Sequence, residues 1–336
     1  MMTTPLILIA LSCDKAPPAA TADTDPTLFV ADVNRRMDEL YRENSEAHWQ
    51  HETDITDEHE AAAAASDELL MAYQTAMVTE ATKFGTVADP DVARSLHLLK
   101  VNQVLAAPSD AEKRKRLAEL STGLSSTYGT GKWCPEGQEC KDLGELEDLL
   151  AHSRDPAEQL AAWKGWHDIA TPMRPDYVEM VGLANQGASE IGFANTGELW
   201  KSGYDMTPPE LEAEVDRLWK QVEPLYEALH CHVRAKLSEQ YGPDVVPPTG
   251  PIPAHLLGNM WAQDWANLYP MLVPYPDEPG LDVTQALVDQ GWDDQRMTKT
   301  AEAFFVGLGM PPLPDSFWTK SLFLKPADRE VVCHAS

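Results

Sequence analysis

Apolar side chains return every three to four positions along most of this chain, and strand-like alternation is rare. Val33, Met37, Leu40 and Tyr41 make one such stripe and predict an amphipathic helix. Thr56, followed by Asp57 and Glu58, predicts a helix start with acids near the positive end of the dipole. Residues 61–65, then Leu69, Leu70, Tyr73 and Met77, continue that helix. Asp89-Pro90 reads as an N-cap with proline in the first turn. Ser109 with Glu112 reads as a capping box ahead of a Lys/Arg-rich helix. Thr207-Pro208-Pro209-Glu210 reads as another, opening a long helix through Leu211, Val215, Leu218, Val222, Leu225 and Leu229. Residues 284–290 and 295–308 predict two more, the second ended by Gly309 and Pro311. The clearest strand signal covers 330–335. Proline-rich joints at 243–253, 270–279 and 311–314 are too short to be flexible domain linkers, and no internal repeat is seen. The fold class expected is mostly α, as one domain or a large part of one.

The N-terminus has a different character. The apolar run from Pro5 to Leu11 is followed by Ser12-Cys13. A small residue directly before Cys is what a bacterial lipoprotein signal presents, so residues 1–13 are assigned as a signal and Cys13 as a lipidation site. An ordinary signal peptide and a meaningless start are the alternatives. Residues 14–26 have the Pro/Ala/Thr bias of a tether. No stretch approaches the roughly 20 apolar residues of a membrane span. These features place the chain in the cell envelope, exported and lipid-anchored.

The chain has 336 residues, 43% of them hydrophobic, which supports a sizeable core. Its formal net charge of −28 would repel phosphates and argues against nucleic acid as a partner. No protein partner is predicted. Cys134 and Cys140 bracket a Pro/Gly loop that suits a small disulfide in an exported protein, the alternative being two unrelated thiols.

A zinc site on a helix is commonly built by His-Glu-x-x-His, which places two imidazoles on one helical face beside a carboxylate. His51-Glu52 and His59-Glu60 both lack the second His, since Ile55 and Ala63 occupy those positions. His230 and His232 lie about 200° apart on a helix and do not converge on one ion. Residues 1–336 contain no phosphate loop, no dinucleotide fingerprint and no Gly-x-Ser-x-Gly. By motif alone there is no catalytic residue and no metal site.

A different signal lies at residues 249–269, from Thr249-Gly250-Pro251-Ile252-Pro253-Ala254-His255 through Gly258-Asn259-Met260-Trp261-Ala262-Gln263-Asp264-Trp265 to Tyr269. Gln290-Gly291-Trp292, Phe304-Phe305, Phe317-Trp318, Lys325-Pro326 and Arg329-Glu330-Val331-Val332-Cys333-His334-Ala335-Ser336 follow in order. Upstream stand Trp163-x-Gly165-Trp166 and Glu198-Leu199-Trp200-Lys201-Ser202-Gly203-Tyr204-Asp205. These segments resemble the angiotensin-converting-enzyme family of zinc peptidyl-dipeptidases. The likeness covers roughly residues 27–336 and is densest after 160.

The resemblance implies an almost entirely helical ellipsoid divided by a deep cleft, of which 27–336 would be the N-terminal part: lid helices plus one cleft wall. It implies a zinc enzyme that releases C-terminal dipeptides from oligopeptides. The family's zinc motif lies downstream of Cys-His-Ala-Ser, so the chain is expected to be a fragment that is inactive alone and exposes apolar surface meant for the remainder. The alternative is a catalytically dead, lipid-anchored peptide-binding protein. Gln263 matches the glutamine that helps hold the substrate's C-terminal carboxylate. His334 and Ala335 match positions whose strand pairs with substrate through main-chain hydrogen bonds. Asp264 adds a negative charge beside Gln263. Tyr204 fits a tyrosine near a chloride site, but His167 stands where animal members carry an Arg, which argues against chloride activation. Cys134–Cys140 matches a family disulfide, and Cys333 matches a cysteine whose partner lies beyond Ser336.

Overall fold

The computed structural model describes residues 25–275 and 283–332. Cys13, Cys333, His334 and Ala335 lie outside the described residues, as do the signal segment and almost all of the tether. The described chain is mostly α, and it contains no named strand.

The first helix, α1 (Pro26–Thr53), starts on the last residue assigned to the tether. Asp25 Oδ1 accepts from the Thr27 N–H at 2.8 Å and supplies its cap. In α2 (Asp57–Ala81), Thr56 caps as predicted, its hydroxyl accepting from His59 N–H at 3.2 Å. Asp89 caps α3 (Pro90–Val101) with proline in the first turn, also as predicted. The capping box at Ser109 is not formed. α4 (Ala111–Thr130) is capped one residue later, by Asp110, whose carboxylate accepts from Lys113 N–H at 3.0 Å. That shift moves Glu112 out of the third helical position. A reciprocal box forms instead between Asp142 and Glu145 at the start of α5 (Leu143–His152).

The chain continues through α6 (Pro156–Ala170), α7 (Arg174–Glu190), α8 (Thr196–Lys201) and α9 (Pro208–Tyr241). Short helices follow: α10 (Tyr269–Leu272), α11 (Val283–Asp289), α12 (Asp294–Gly307) and α13 (Asp315–Lys320). The expected stop of α12 is present, with Gly309 at φ 95°, a conformation that glycine adopts without steric cost.

The chain divides into two compact units. Among the described residues, the first comprises 25–44, 66–117 and 181–207. One of its cores gathers Phe29, Val33 and Met77, with Tyr73, Phe84 and Leu96 packed around them. Val33 and Met37 follow the predicted stripe, whereas Tyr41 and Leu69 are exposed. A second core holds Val101, Ala106, Ala188 and Leu199.

The second unit comprises the described residues 45–65, 118–180, 208–275 and 283–332. Leu146 and Leu150 of α5 meet Ala162 and Trp166 of α6 and Met260. Gly165 is required here because the Trp133 ring lies where its Cβ would be, 2.3 Å from Cγ. Trp133 is held by a two-way backbone bridge to Lys141, with the Cys134–Cys140 disulfide closing the loop between them. A further core joins Val233 and Leu237 of α9 to Val246, Ile252, Leu256, Leu257 and Leu268.

The long helix predicted from Pro208 is present as α9, and its apolar stripe is exposed at Val215, Leu218, Val222, Leu225 and Leu229. The buried face begins only at Val233, where the 246–268 segment packs on it. Residues 330–332 form no strand. Their backbone bonds run to the turn after α1, with Ile55 N–H donating to Glu330 O at 3.0 Å and Val332 N–H donating to Glu52 O at 2.8 Å. With a turn rather than a second extended segment as partner, no ladder propagates.

Candidate functional site

Gln263 lies on a tightly folded loop rather than on a helix face. The segment opens with a single 3₁₀ turn at Ala254–Leu256. It turns back at Gly258, whose φ of 76° suits glycine and whose carbonyl accepts from Asn267 Nδ2 at 2.8 Å. Asn259 Oδ1 accepts from Trp261 N–H at 2.8 Å. Ala262 follows in the left-handed region with φ 55°, a conformation that costs a residue with a Cβ roughly 1 kcal/mol. Two bonds hold it there: its N–H donates to Asn259 O at 3.2 Å, and its carbonyl accepts from Trp265 Nε1 at 3.0 Å. Leu256, Leu257 and Leu268 anchor the loop in the α9 core. Arg154 Nη2 ties its far end, donating to Asn267 O at 3.2 Å.

This construction leaves the Gln263 side chain exposed, with no hydrogen-bond partner among the described residues. An amide on an immobilised backbone can donate to a carboxylate without rearrangement. The Asp264 carboxylate, beside Gln263, accepts from Ala266 N–H at 2.8 Å and so serves the loop's own turn.

Aromatic groups surround the loop within the same unit. Trp261 meets His167 edge-on at 6.0 Å, and His167 stacks on Trp163 at 3.9 Å. His167 Nδ1 also donates to the Trp163 carbonyl at 2.7 Å. That ring is committed to structure on one side. Trp265, Tyr226 and His230 form a second group, with centroids 5.8 to 6.3 Å apart.

The remaining histidines do not assemble a metal site. His51 is buried at 1% exposure, with Nε2 2.8 Å from Ser126 Oγ. Burial holds its imidazole below the ordinary value, against the partly opposing charge of Glu60. His59 Nδ1 donates to the Asp54 carbonyl at 2.8 Å. His232 Nε2 donates to Leu272 O at 3.0 Å, and His230 Nδ1 accepts from Arg234 at 3.2 Å. Among the described residues no three His, Cys, Asp or Glu side chains could hold an ion together. Tyr204 belongs to the first unit and is 60% exposed, near the Arg94–Asp205 ion pair at 3.0 Å. Cys231 is a free, exposed thiol.

A cavity of ≈ 130 Å³ in the second unit is lined by Tyr128, Gly129, Glu147, Trp166, Lys325 and Val331 among others. Burial pushes the Glu147 carboxyl above its ordinary value and the Tyr128 phenol likewise. Asp142 lies at the same cavity; burial would raise its pKa, but the Lys325 ammonium and the Glu145 N–H together hold it below the ordinary value. The signal in the sequence was slight: Glu147 interrupts the apolar positions Leu143, Leu146 and Leu150 of one helix.

Comparison with known proteins bears out the family resemblance. The family model described as angiotensin-converting enzyme, a peptidase family, matches residues 20–336. This chain belongs to the angiotensin-converting-enzyme family. It is 40% identical over 319 residues to the angiotensin-converting enzyme of Bos taurus, covering 92% of this chain and 24% of that protein. To the enzyme of Sus scrofa it is 38% identical over 342 residues, covering 98% and 26%. To that of Theromyzon tessulatum it is 34% identical over 324 residues, covering 94% and 52%. The chain therefore spans about a quarter of the length of its mammalian relatives and about half of the Theromyzon one.

Proposed function

We propose that residues 25–332 form one wall of the peptide-binding cleft of a zinc peptidyl-dipeptidase that releases C-terminal dipeptides from oligopeptides. In this reading Gln263 donates to the carboxylate at the end of the peptide, and the main chain at His334 and Ala335 pairs with its backbone. The observation that carries it is the exposed Gln263 amide, without a hydrogen-bond partner among the described residues, on a loop immobilised by the α9 core and within the residues that the family model matches. The residues present do not fit a zinc ion, since no ligand set occurs among the described residues and no His-Glu-x-x-His occurs in residues 1–336. The chain's part is therefore binding and orienting, and hydrolysis draws on zinc ligands that these residues do not supply. The cell envelope is the proposed location, with Cys13 as lipid anchor; the Cys134–Cys140 disulfide favours an oxidising compartment.

Calorimetry with a blocked tripeptide tests this reading. The free acid is expected to bind, and its C-terminal amide to bind about 10- to 100-fold more weakly, as a hydrogen bond to a charged group is worth about 1.5–3 kcal/mol. Gln263→Ala is expected to erase that difference. Equal binding of acid and amide by the unsubstituted chain, or no heat with millimolar peptide, would contradict it. Incubation of the chain alone with zinc and the same tripeptide is expected to release no dipeptide.

A further inference from the structure

The ≈ 130 Å³ cavity of the second unit has an apolar wall and an acidic one. Leu143, Trp166 and Val331 make the first, and Tyr128 meets Trp166 edge-on at 5.6 Å between ring centroids. Asp142 and Glu147 make the second, with Lys325 beside them. These three charged groups are not equivalent. Asp142 is engaged at both oxygens: Oδ1 accepts from the Glu145 N–H at 3.0 Å, and Oδ2 pairs with the Lys325 ammonium. Glu147 has no hydrogen-bond or ion-pair partner among the described residues. It stands four residues after Leu143 and so shares the face of α5 that lines the cavity. Burial alone raises its carboxyl above the ordinary value, with no donor or cation to offset it.

A carboxylate that has lost water and gained no donor has much to gain from an incoming cation. The walls restrict which cation. A hard metal ion takes several oxygen ligands, and no three His, Cys, Asp or Glu side chains converge among the described residues. An alkylammonium ion suits the walls better. Its N–H groups donate to the carboxylate, its carbon chain covers Leu143 and Val331, and its charge is attracted by the Tyr128 and Trp166 rings. The cavity has room for a chain of a few carbon atoms. We propose that it is a binding site for an alkylammonium group the size of a lysine side chain, with Glu147 as counter-ion and Tyr128 and Trp166 as its aromatic wall. The inference stands apart from the peptide-binding reading, since it uses neither Gln263 nor any residue beyond 332.

The test is calorimetry of the full 336-residue chain with butylammonium chloride, in about 0.15 M NaCl so that exposed charges are screened. The uncharged probe of the same length is 1-butanol. Butylammonium is expected to bind about tenfold more tightly than butanol, through its charge-assisted bond to Glu147. Glu147→Gln keeps the size of the side chain and removes its charge. It is expected to lower butylammonium affinity about tenfold, to leave butanol unchanged and, having no partner to lose, to melt no lower than the parent. Asp148→Asn removes the same charge from the next position, which is 76% exposed, and is expected to change neither affinity. It measures any general attraction of cations to a chain of net charge −28. Glu147→Asp keeps the charge but withdraws it by one methylene, and covers the case in which E147Q does not fold. It is expected to weaken butylammonium several-fold. Butylammonium binding no tighter than butanol in the parent overturns the inference. So does equal weakening by D148N, or full butylammonium affinity in E147Q or E147D.

Discussion

His51 occupies a position where a charge is difficult to accommodate. It is buried near the end of α1 and meets Ser126 of α4 at 2.8 Å. Glu60 and Glu52 favour its protonated form, whereas His48, His59 and above all burial oppose it. The folded-state pKa is therefore depressed below the ordinary imidazole value of about 6.5. For a base this means that the unfolded chain binds the proton more readily. The stabilisation is whole above about pH 6.5 and is lost as the pH falls through that value toward the lower folded one. His51→Gln keeps a group able to bond Ser126 but cannot titrate. Thermal melts at pH 7.5 and 5.5 are expected to show a smaller loss of Tm for H51Q than for the parent, and equal losses would contradict this account. The sequence made the incomplete His51-Glu52 pair conspicuous, but spacing alone could not say that the ring is buried against Ser126, seventy-five residues away. Gln263 enters as a candidate through family likeness, whereas no local signal marks the left-handed Ala262 that sets its backbone. An alanine gives no local sign of a positive φ, which here follows from bonds to Asn259 and Trp265.

A helix start is legible where one side chain decides it, as at Thr56 and Asp89, and shifts where two adjacent residues compete. Ser109 and Asp110 can both cap α4, and the carboxylate takes the position while the Ser109 N–H donates to Glu190 at 2.6 Å. Contacts between elements were less legible, and Gly187 in α7 is the sharpest case. By helix propensity alone, Gly187→Ala should stabilise by up to about 1 kcal/mol. In the structure a Cβ there would lie 2.0 Å from the Ala106 carbonyl oxygen and 2.6 Å from the Ala107 carbonyl carbon. Backbone atoms cannot turn aside as a side chain can, so relief means separating α7 from the buried 106–107 segment. G187A is expected to destabilise by roughly 3 kcal/mol, measured as a lower denaturation midpoint. Gly182→Ala, five residues earlier on the same helix and in open space, is expected to be neutral or mildly stabilising. A G187A chain as stable as the parent would mean that α7 does not approach residues 106–107 this closely.

At the scale of the whole molecule, a strongly acidic composition and a broad apolar exposure act in opposite directions. The formal net charge is −28, which keeps copies apart at low ionic strength. The outer stripe of α9 nevertheless exposes Val215, Leu218, Val222, Leu225 and Leu229, with Leu225 at 73% exposure, and α12 exposes Phe304 and Phe305. The helical period of α9 was plain in the sequence. That its stripe would face solvent was not, because periodicity identifies an apolar face and says nothing of what covers it. The Debye length falls from about 10 Å at 0.1 M salt to about 3 Å at 1 M, so repulsion between copies fades while apolar attraction persists. Light scattering is expected to find the chain monodisperse in 0.05 M NaCl and self-associated in 1 M NaCl. Replacing Leu225 and Leu229 by lysine separates the two causes, since two added positive charges change −28 to −26. If net charge alone governed solubility, L225K/L229K would associate more readily than the parent. If the α9 stripe drives association, the variant stays monodisperse to higher salt and, because both side chains are exposed, melts within a few degrees of the parent. The second outcome is the expected one, and earlier association of the double-lysine variant would assign the effect to charge instead.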